Sequence, residues 1–352
     1  MIISRRQFTI GAAAAAGSAA WPLAAQANGL SADAEKALYE AAKKEGQLTW
    51  YDAHHAVEQA EAIGKAFSDK YPGVKCNVVR TTANVAYNRL NQELKAGGPQ
   101  CDLLSSTDIS HSVELKNKGL LEKFVPANGA TLSANLQKID PDGFYHVTSI
   151  GTIGITYNSA KVKPEDAPKK WTDLLEPKWK NQVSVGHPSF SGYVSIWCWE
   201  MQRLYTWDYF EKLKASSPQI GRSIQDTLTH LRSGERMVAA GSLATAIEAK
   251  TKGEPIGISY PEDGTVLIVA PSCIVKGAKN PNAAKLFVEY LSSPAASEHS
   301  VQSFFGESIH AGVKSREGGK PLAEIKTMIA PPEQLLKGLP DVKDKWRDTF
   351  GV

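Results

Sequence analysis

The chain has 352 residues, 42% hydrophobic and 22% charged, with a formal net charge of +3. That composition is ordinary for a globular protein with room for about two domains, and the weak charge argues against a nucleic-acid or anionic-membrane surface. Four cysteines without a C-x-x-C pair (Cys76, Cys101, Cys198 and Cys273) exclude a disulfide scaffold; four buried free thiols are expected, with a Cys76–Cys101 bridge as the alternative.

At the N-terminus, Ser4, Arg5, Arg6, Gln7 and Phe8 precede an Ala-rich run that ends in Ala25, Gln26 and Ala27. This order predicts a twin-arginine export signal over 1–27 with an A-x-A cleavage site. Ala and Gly contribute little transfer energy and Pro22 interrupts the run, which weighs against a membrane anchor. Cleavage would remove Arg5 and Arg6 and leave a net charge of +1. A periplasmic protein with no lipid anchor is expected, since no Cys follows the signal directly.

From residue 31 onward, helical and extended patterns alternate. The periodicity predicts helices over 32–44, 57–70 and 85–95 and strands over 48–51, 74–81 and 101–105. Two extended runs follow, over 144–149 and 150–157, and then a Pro-, Lys- and Trp-rich stretch to 177. A second unit begins with a strand over 182–185, helices over 192–205, 207–215 and 224–231, a strand over 237–240 and a helix over 243–252. Extended runs over 256–260 and 266–270 flank a turn, and helices are predicted over 281–291 and 294–302. Strand–helix alternation implies parallel α/β units. Two such units joined by two extended stretches predict two lobes with a ligand cleft between them. Lobe one should combine 30–147 with 273–352, lobe two should span 158–260, and 148–157 and 261–272 should be the crossovers.

In open parallel sheets ligands bind beyond the carboxyl ends of the strands. Four turns meet that condition: His54 and His55; Ser105, Ser106 and Thr107; Ser189 to Tyr193; and Gly241 and Ser242. Ser189, Ser191, Gly192 and Tyr193 read best as an anion seat at a helix N-terminus, although Ser191 could be a plain N-cap. Thr107 or Asp108 could likewise be a plain cap. A metal at His54 and His55 is disfavoured, because adjacent side chains diverge and no H-x-x-x-H spacing accompanies them. Trp197, Trp199, Trp207 and Tyr209 read as core. Glu262 and Asp263 read as a solvated turn, or as a seat for a ligand ammonium if they face the cleft. No G-x-S-x-G, H-E-x-x-H or P-loop occurs, so no enzyme, cofactor or resident metal is expected.

Residues 38–46 before the first strand, 67–73 closing the next helix, Trp171 to Leu175 with Pro177 to Asn181, Tyr260 to Thr265, and Lys276 to Pro281 leading into Phe287 together resemble the extracellular solute-binding proteins of the ferric-iron, thiamine, aminoethylphosphonate and hexose-phosphate group. The resemblance implies a two-lobed type II periplasmic binding protein fold, serving an ABC importer by delivering a small-molecule anionic ligand to an inner-membrane ABC permease as a monomer. It places His55 at the histidine of the iron-binding relatives. Their glutamate position falls on Thr107, and their paired tyrosines fall near Gly241 and Ser242, so most of an iron ligand set is missing. The serine–glycine turn that seats an anion in several relatives matches Ser191, Gly192 and Tyr193. The expected cargo is therefore a small organic anion, with a phosphonate or phosphate ester favoured. The alternatives are a ferric-binding protein with atypical ligands and a metal-dependent periplasmic hydrolase.

Overall fold

The computed structural model describes residues 29–304 and 306–352; the expected export signal lies outside them. The first unit runs α1 (Ala32–Glu45), β1 (Gln47–Asp52), α2 (Val57–Lys70), β2 (Lys75–Arg80), α3 (Ala83–Lys95), β3 (Leu103–Ser105) and α4 (Ile109–Asn117). The long strand β4 (His146–Asn158) leads to β5 (Val183–Val185), α5 (Gly192–Tyr205), α6 (Asp208–Ala215), β6 (Gln219–Ile220), α7 (Ile224–Arg232), β7 (Val238–Ser242), α8 (Leu243–Thr251) and β8 (Ile256–Ser259). The chain then returns through β9 (Thr265–Ile274) to α9 (Pro281–Leu291), α10 (Pro294–Phe304), β10 (Thr327–Met328) and α11 (Pro332–Phe350).

Local sequence explains the boundaries. Ser31 caps α1 by accepting from the Ala34 amide, and Gly46 ends it in the left-handed conformation that glycine adopts at least cost. In β4 and β9 nearly every residue is buried, as expected of strands covered on both faces.

The strands form one sheet in the order β2-β1-β3-β9-β4-β7-β5-β6, with β10 added to β9 and β8 to β4. β1 pairs in parallel with β2 and β3, and β5 with β6 and β7. Between these parallel groups β4 and β9 run antiparallel, from His146 opposite Ser272 to Ile153 opposite Val266. The two extended runs read over 144–157 are thus one strand, with a register shift between Val147 and Ser149. β9 borders the first group through β3 and β4 borders the second through β7, so the pair joins the two halves of the sheet.

One core cluster centres on Trp50, Phe67 and Phe287, whose ring centroids lie 5.0 and 4.8 Å apart along the chain of contacts. A larger one contains Trp171, Trp197, Tyr209, Phe210 and Trp346. Trp199 is buried as well, whereas Trp207 is only partly so and donates to the Thr349 hydroxyl at 2.8 Å. The helices α4 and α11 were not anticipated from sequence. α11 buries Leu335, Leu339, Val342 and Trp346 at helical spacing despite Pro340 within it. It packs on α4, α5 and α6, and its Lys343 lies 3.5 Å from the Asp108 carboxylate. All four cysteines are free; Cys76 is half-buried and the other three are buried. No helix among the described residues is long and apolar enough to cross a membrane.

Candidate functional site

The carboxyl ends of β1, β2 and β3 face those of β5 and β7 across a cleft formed by two adjoining cavities. One is lined by Arg80, Thr82, Thr107, Ser191, Gly192 and Ser223. The other is lined by His55, Ser149, Ser242, Thr245 and Glu307. His54, Tyr193 and Gln225 border both.

The turn after β1 is built on Asp52. Its carboxylate accepts from the His54 amide at 3.2 Å and the His55 amide at 3.0 Å, and its two oxygens lie 3.2 Å from His55 Nδ1. Burial pushes the Asp52 carboxyl up, but the neighbouring His55 and these bonds outweigh it and hold it below the usual carboxylate range. The His55 Nε2 is 3.3 Å from the Ser149 hydroxyl, so both ring nitrogens of His55 are engaged. The two histidine rings stand perpendicular at 4.6 Å, the divergence expected of adjacent residues. His54 stacks on Tyr193, with its Nδ1 3.4 Å from the phenol oxygen. Burial, reinforced by His55, pushes the His54 imidazole down to about 3 against the pull of Asp52, so it is neutral near pH 7. Burial also pushes the Tyr193 phenol well up, with Glu307 and Asp52 adding to the effect. Among the described residues no group of three or more His, Cys, Asp or Glu side chains is placed to hold a metal ion.

Ser191 occupies the N-cap position of α5, yet its hydroxyl makes no capping bond. Ser242 at the start of α8 and Thr82 at the start of α3 behave the same way, and the Thr82 hydroxyl is buried without a partner. An unused cap oxygen beside exposed helix amides is what an anion at a helix N-terminus would bond. Arg80, at the end of β2, adds a guanidinium held by a 2.6 Å bond from its Nε to the His55 carbonyl. The glycine at 192 serves a protein contact. A Cβ there would lie 2.6 Å from the Thr107 hydroxyl and 2.8 Å from the Asp108 amide nitrogen, so only glycine lets the start of α5 reach the turn after β3. The Asn84 amide group reinforces this approach by donating to the Ser189 carbonyl at 2.5 Å.

Other residues read as site candidates lie elsewhere. Ser105 faces the interior, accepting from the Trp50 indole at 2.7 Å and sharing a 2.5 Å bond with Ser272. The Ser106 hydroxyl accepts from the Asp108 amide and bonds His111 Nδ1 at 2.9 Å, which stabilises the start of α4. Only Thr107 of that run reaches the cleft. Ser189 does not line either cavity, and its amide donates to His187 Nδ1. Asp263 accepts from the Trp171 amide and the Tyr205 hydroxyl, while Glu262 is exposed near Lys170; both lie outside the cleft. Arg80, Thr82, Ser149, Gln225, Thr245 and Glu307 were missed. Arg80 and Thr82 follow the same strand-end rule that selected the other turns, applied to β2.

Two parallel α/β units joined by a pair of long strands, with polar residues gathered at the strand ends between them, define a two-lobed binding-protein architecture. Residues 101–318 match the family described as bacterial extracellular solute-binding protein, and the chain belongs to that family. The structure is similar to AfuA of Actinobacillus pleuropneumoniae with exogenous fructose-6-phosphate bound, at TM-score 0.78 and 24% identity over 87% of this chain and 99% of that one. It is also similar to iron-bound HitA of Pseudomonas aeruginosa, at TM-score 0.74 and 23% identity over 86% and 99%. Among curated proteins, Iron uptake protein A1 of Synechocystis is 25% identical over 300 residues, which is 80% of this chain and 81% of that protein. The fold is thus the type II periplasmic binding fold, and the chain is a solute-binding protein of the ABC importer group.

Proposed function

We propose that the chain is exported to the periplasm, captures a small organic anion in its cleft, a phosphonate or phosphate ester by preference, and delivers it to an inner-membrane ABC permease. In this reading 30–147 with 273–352 and 158–260 are the lobes, and 148–157 and 261–272 are the crossovers about which they close. The observation that carries it is the meeting of the Arg80 guanidinium with the uncapped Thr82 and Ser191 hydroxyls at two helix N-termini in one cavity. That arrangement supplies charge and oriented donors to an oxyanion.

Isothermal calorimetry with inorganic phosphate, methylphosphonate, 2-aminoethylphosphonate and fructose 6-phosphate tests the proposal. At least one should bind, and Arg80→Ala should weaken it by about tenfold or more, the scale of one charged hydrogen bond. No binding of any of the four, or binding indifferent to Arg80, overturns the anion reading. Ferric iron is the second reading, favoured by the iron-named relatives. A hard trivalent ion prefers anionic oxygen donors, and Glu307 is the carboxylate that lines the cleft. A visible charge-transfer band on adding ferric citrate would favour iron.

A further inference from the structure

Glu307 stands where the cleft meets a further cavity of about 220 Å³, whose other walls include Tyr260, His310 and Thr152. It lies in the irregular stretch after α10, and its hydrogen-bond partners are the hydroxyl and backbone of Thr152 and its own backbone. Among the described residues, no lysine, arginine or histidine charge counts among the causes of its shift. A carboxylate has about four acceptor positions, so the Thr152 hydroxyl and the two backbone bonds leave acceptor capacity on a side chain that lines both cavities. An acidic side chain left this way at the border of two cavities is costly to the empty protein, and the cost is recovered when a ligand supplies the missing donor.

We propose that Glu307 is the specificity-determining residue of the cleft, accepting a hydrogen bond from a hydroxyl or ammonium group on the tail of the bound anion. This rests on the anion reading above and extends it. The oxyanion sits with Arg80, Thr82 and Ser191; the tail passes Tyr193 toward Glu307, and the cavity behind Glu307 leaves room for tails of different length. The cleft then selects tailed organic anions over bare oxyanions. Burial pushes the Glu307 carboxyl up to about 7, so it is poised to accept either as a carboxylate or through its carbonyl oxygen.

The test is the same set of four probes titrated into the wild type, Glu307→Gln and Glu307→Leu, with melting curves to confirm that each variant is folded. Wild type should bind fructose 6-phosphate or 2-aminoethylphosphonate more tightly than inorganic phosphate or methylphosphonate. Glu307→Leu should weaken the tailed ligand by about tenfold or more and leave the two tailless anions unchanged or slightly tighter. Glu307→Gln separates the two tails: it keeps an acceptor for a hydroxyl and so spares fructose 6-phosphate, but loses the charge that an ammonium requires. A wild type with no preference for tailed probes, or a Leu variant whose affinities fall equally for all four or not at all, overturns the proposal while leaving the anion reading intact. Loss of all binding in the wild type overturns both.

Discussion

Two hydroxyl-rich turns look alike in the sequence and differ in the folded chain. In the turn after β3, Ser105 is taken up by Trp50 and Ser272, and Ser106 by the first turn of α4 and His111. In the turn after β5, the Ser191 hydroxyl stands at the start of α5 without capping it and lines the cleft. A hydroxyl becomes available to a ligand only when the protein leaves it unsatisfied, and that depends on partners far away in sequence. Ser272, 167 positions from Ser105, decides the fate of the first turn. The second turn stays open because the Ser191 hydroxyl makes no cap bond and lines the cavity together with Arg80.

The contact between the two turns gives the largest expected effect. Gly192→Val would push a branched side chain into the backbone around Thr107 and Asp108. On the proposed closure of the lobes about the ligand, affinity should fall by about 10- to 100-fold, within the 1–3 kcal/mol typical of overpacking. Unchanged affinity measured by calorimetry would mean that the turns need not meet for binding. The paired alanine substitutions test the contrast itself. Ser105→Ala strips the Trp50 indole and Ser272 of a buried partner and should lower unfolding free energy by about 1–3 kcal/mol with little change in affinity. Ser191→Ala removes no intramolecular bond from the cap and should leave stability within about 0.5 kcal/mol while reducing affinity several-fold. If denaturant unfolding and ligand titration show both variants shifting the same quantity, the distinction between the turns collapses.

The fold was largely legible because its signals are local. Helix periodicity, glycine stops and buried β runs marked most elements, and the order of those elements implied two parallel units joined by long strands. Two helices escaped. α4 follows directly on Asp108 and buries Ser110, His111 and Ser112 along with its apolar residues, which gives it little polar–apolar periodicity. α11 carries Pro340 in its interior, a residue that normally argues against a helix. The site was legible in part. Strand ends selected His54, His55, Thr107, Ser191, Gly192, Tyr193 and Ser242, all of which line the cleft. The same rule also selected Ser105 and Ser106, because hydroxyl runs do not announce their partners. Glu307 was out of reach, since it lies in an irregular stretch with no strand end to mark it, and its Thr152 partner is 155 residues away.

The smallest effect distinguishes two ionisable groups that line one cavity with Tyr193, His54 and Glu307. His54 has a folded-state value near 3 against an ordinary 6.5, so between those values the unfolded chain takes up a proton that the folded one refuses. Its contribution is present above pH 6.5 and is lost as pH falls toward 3. Glu307, with a folded-state value near 7 against an ordinary 4.5, works in the opposite sense: the folded protein holds a proton that the unfolded chain releases, so stability declines as pH rises from 4.5 to 7. The two slopes oppose each other between 4.5 and 6.5, which should leave the ligand-free wild type with a shallow stability profile there. Single variants should separate them in melting temperatures taken across that range. His54→Gln should lose the acid-side decline and expose the fall toward neutral pH, whereas Glu307→Gln should lose that fall and leave stability rising with pH. Parallel profiles for the two variants would mean that neither group carries the charge-linked burden that its burial implies.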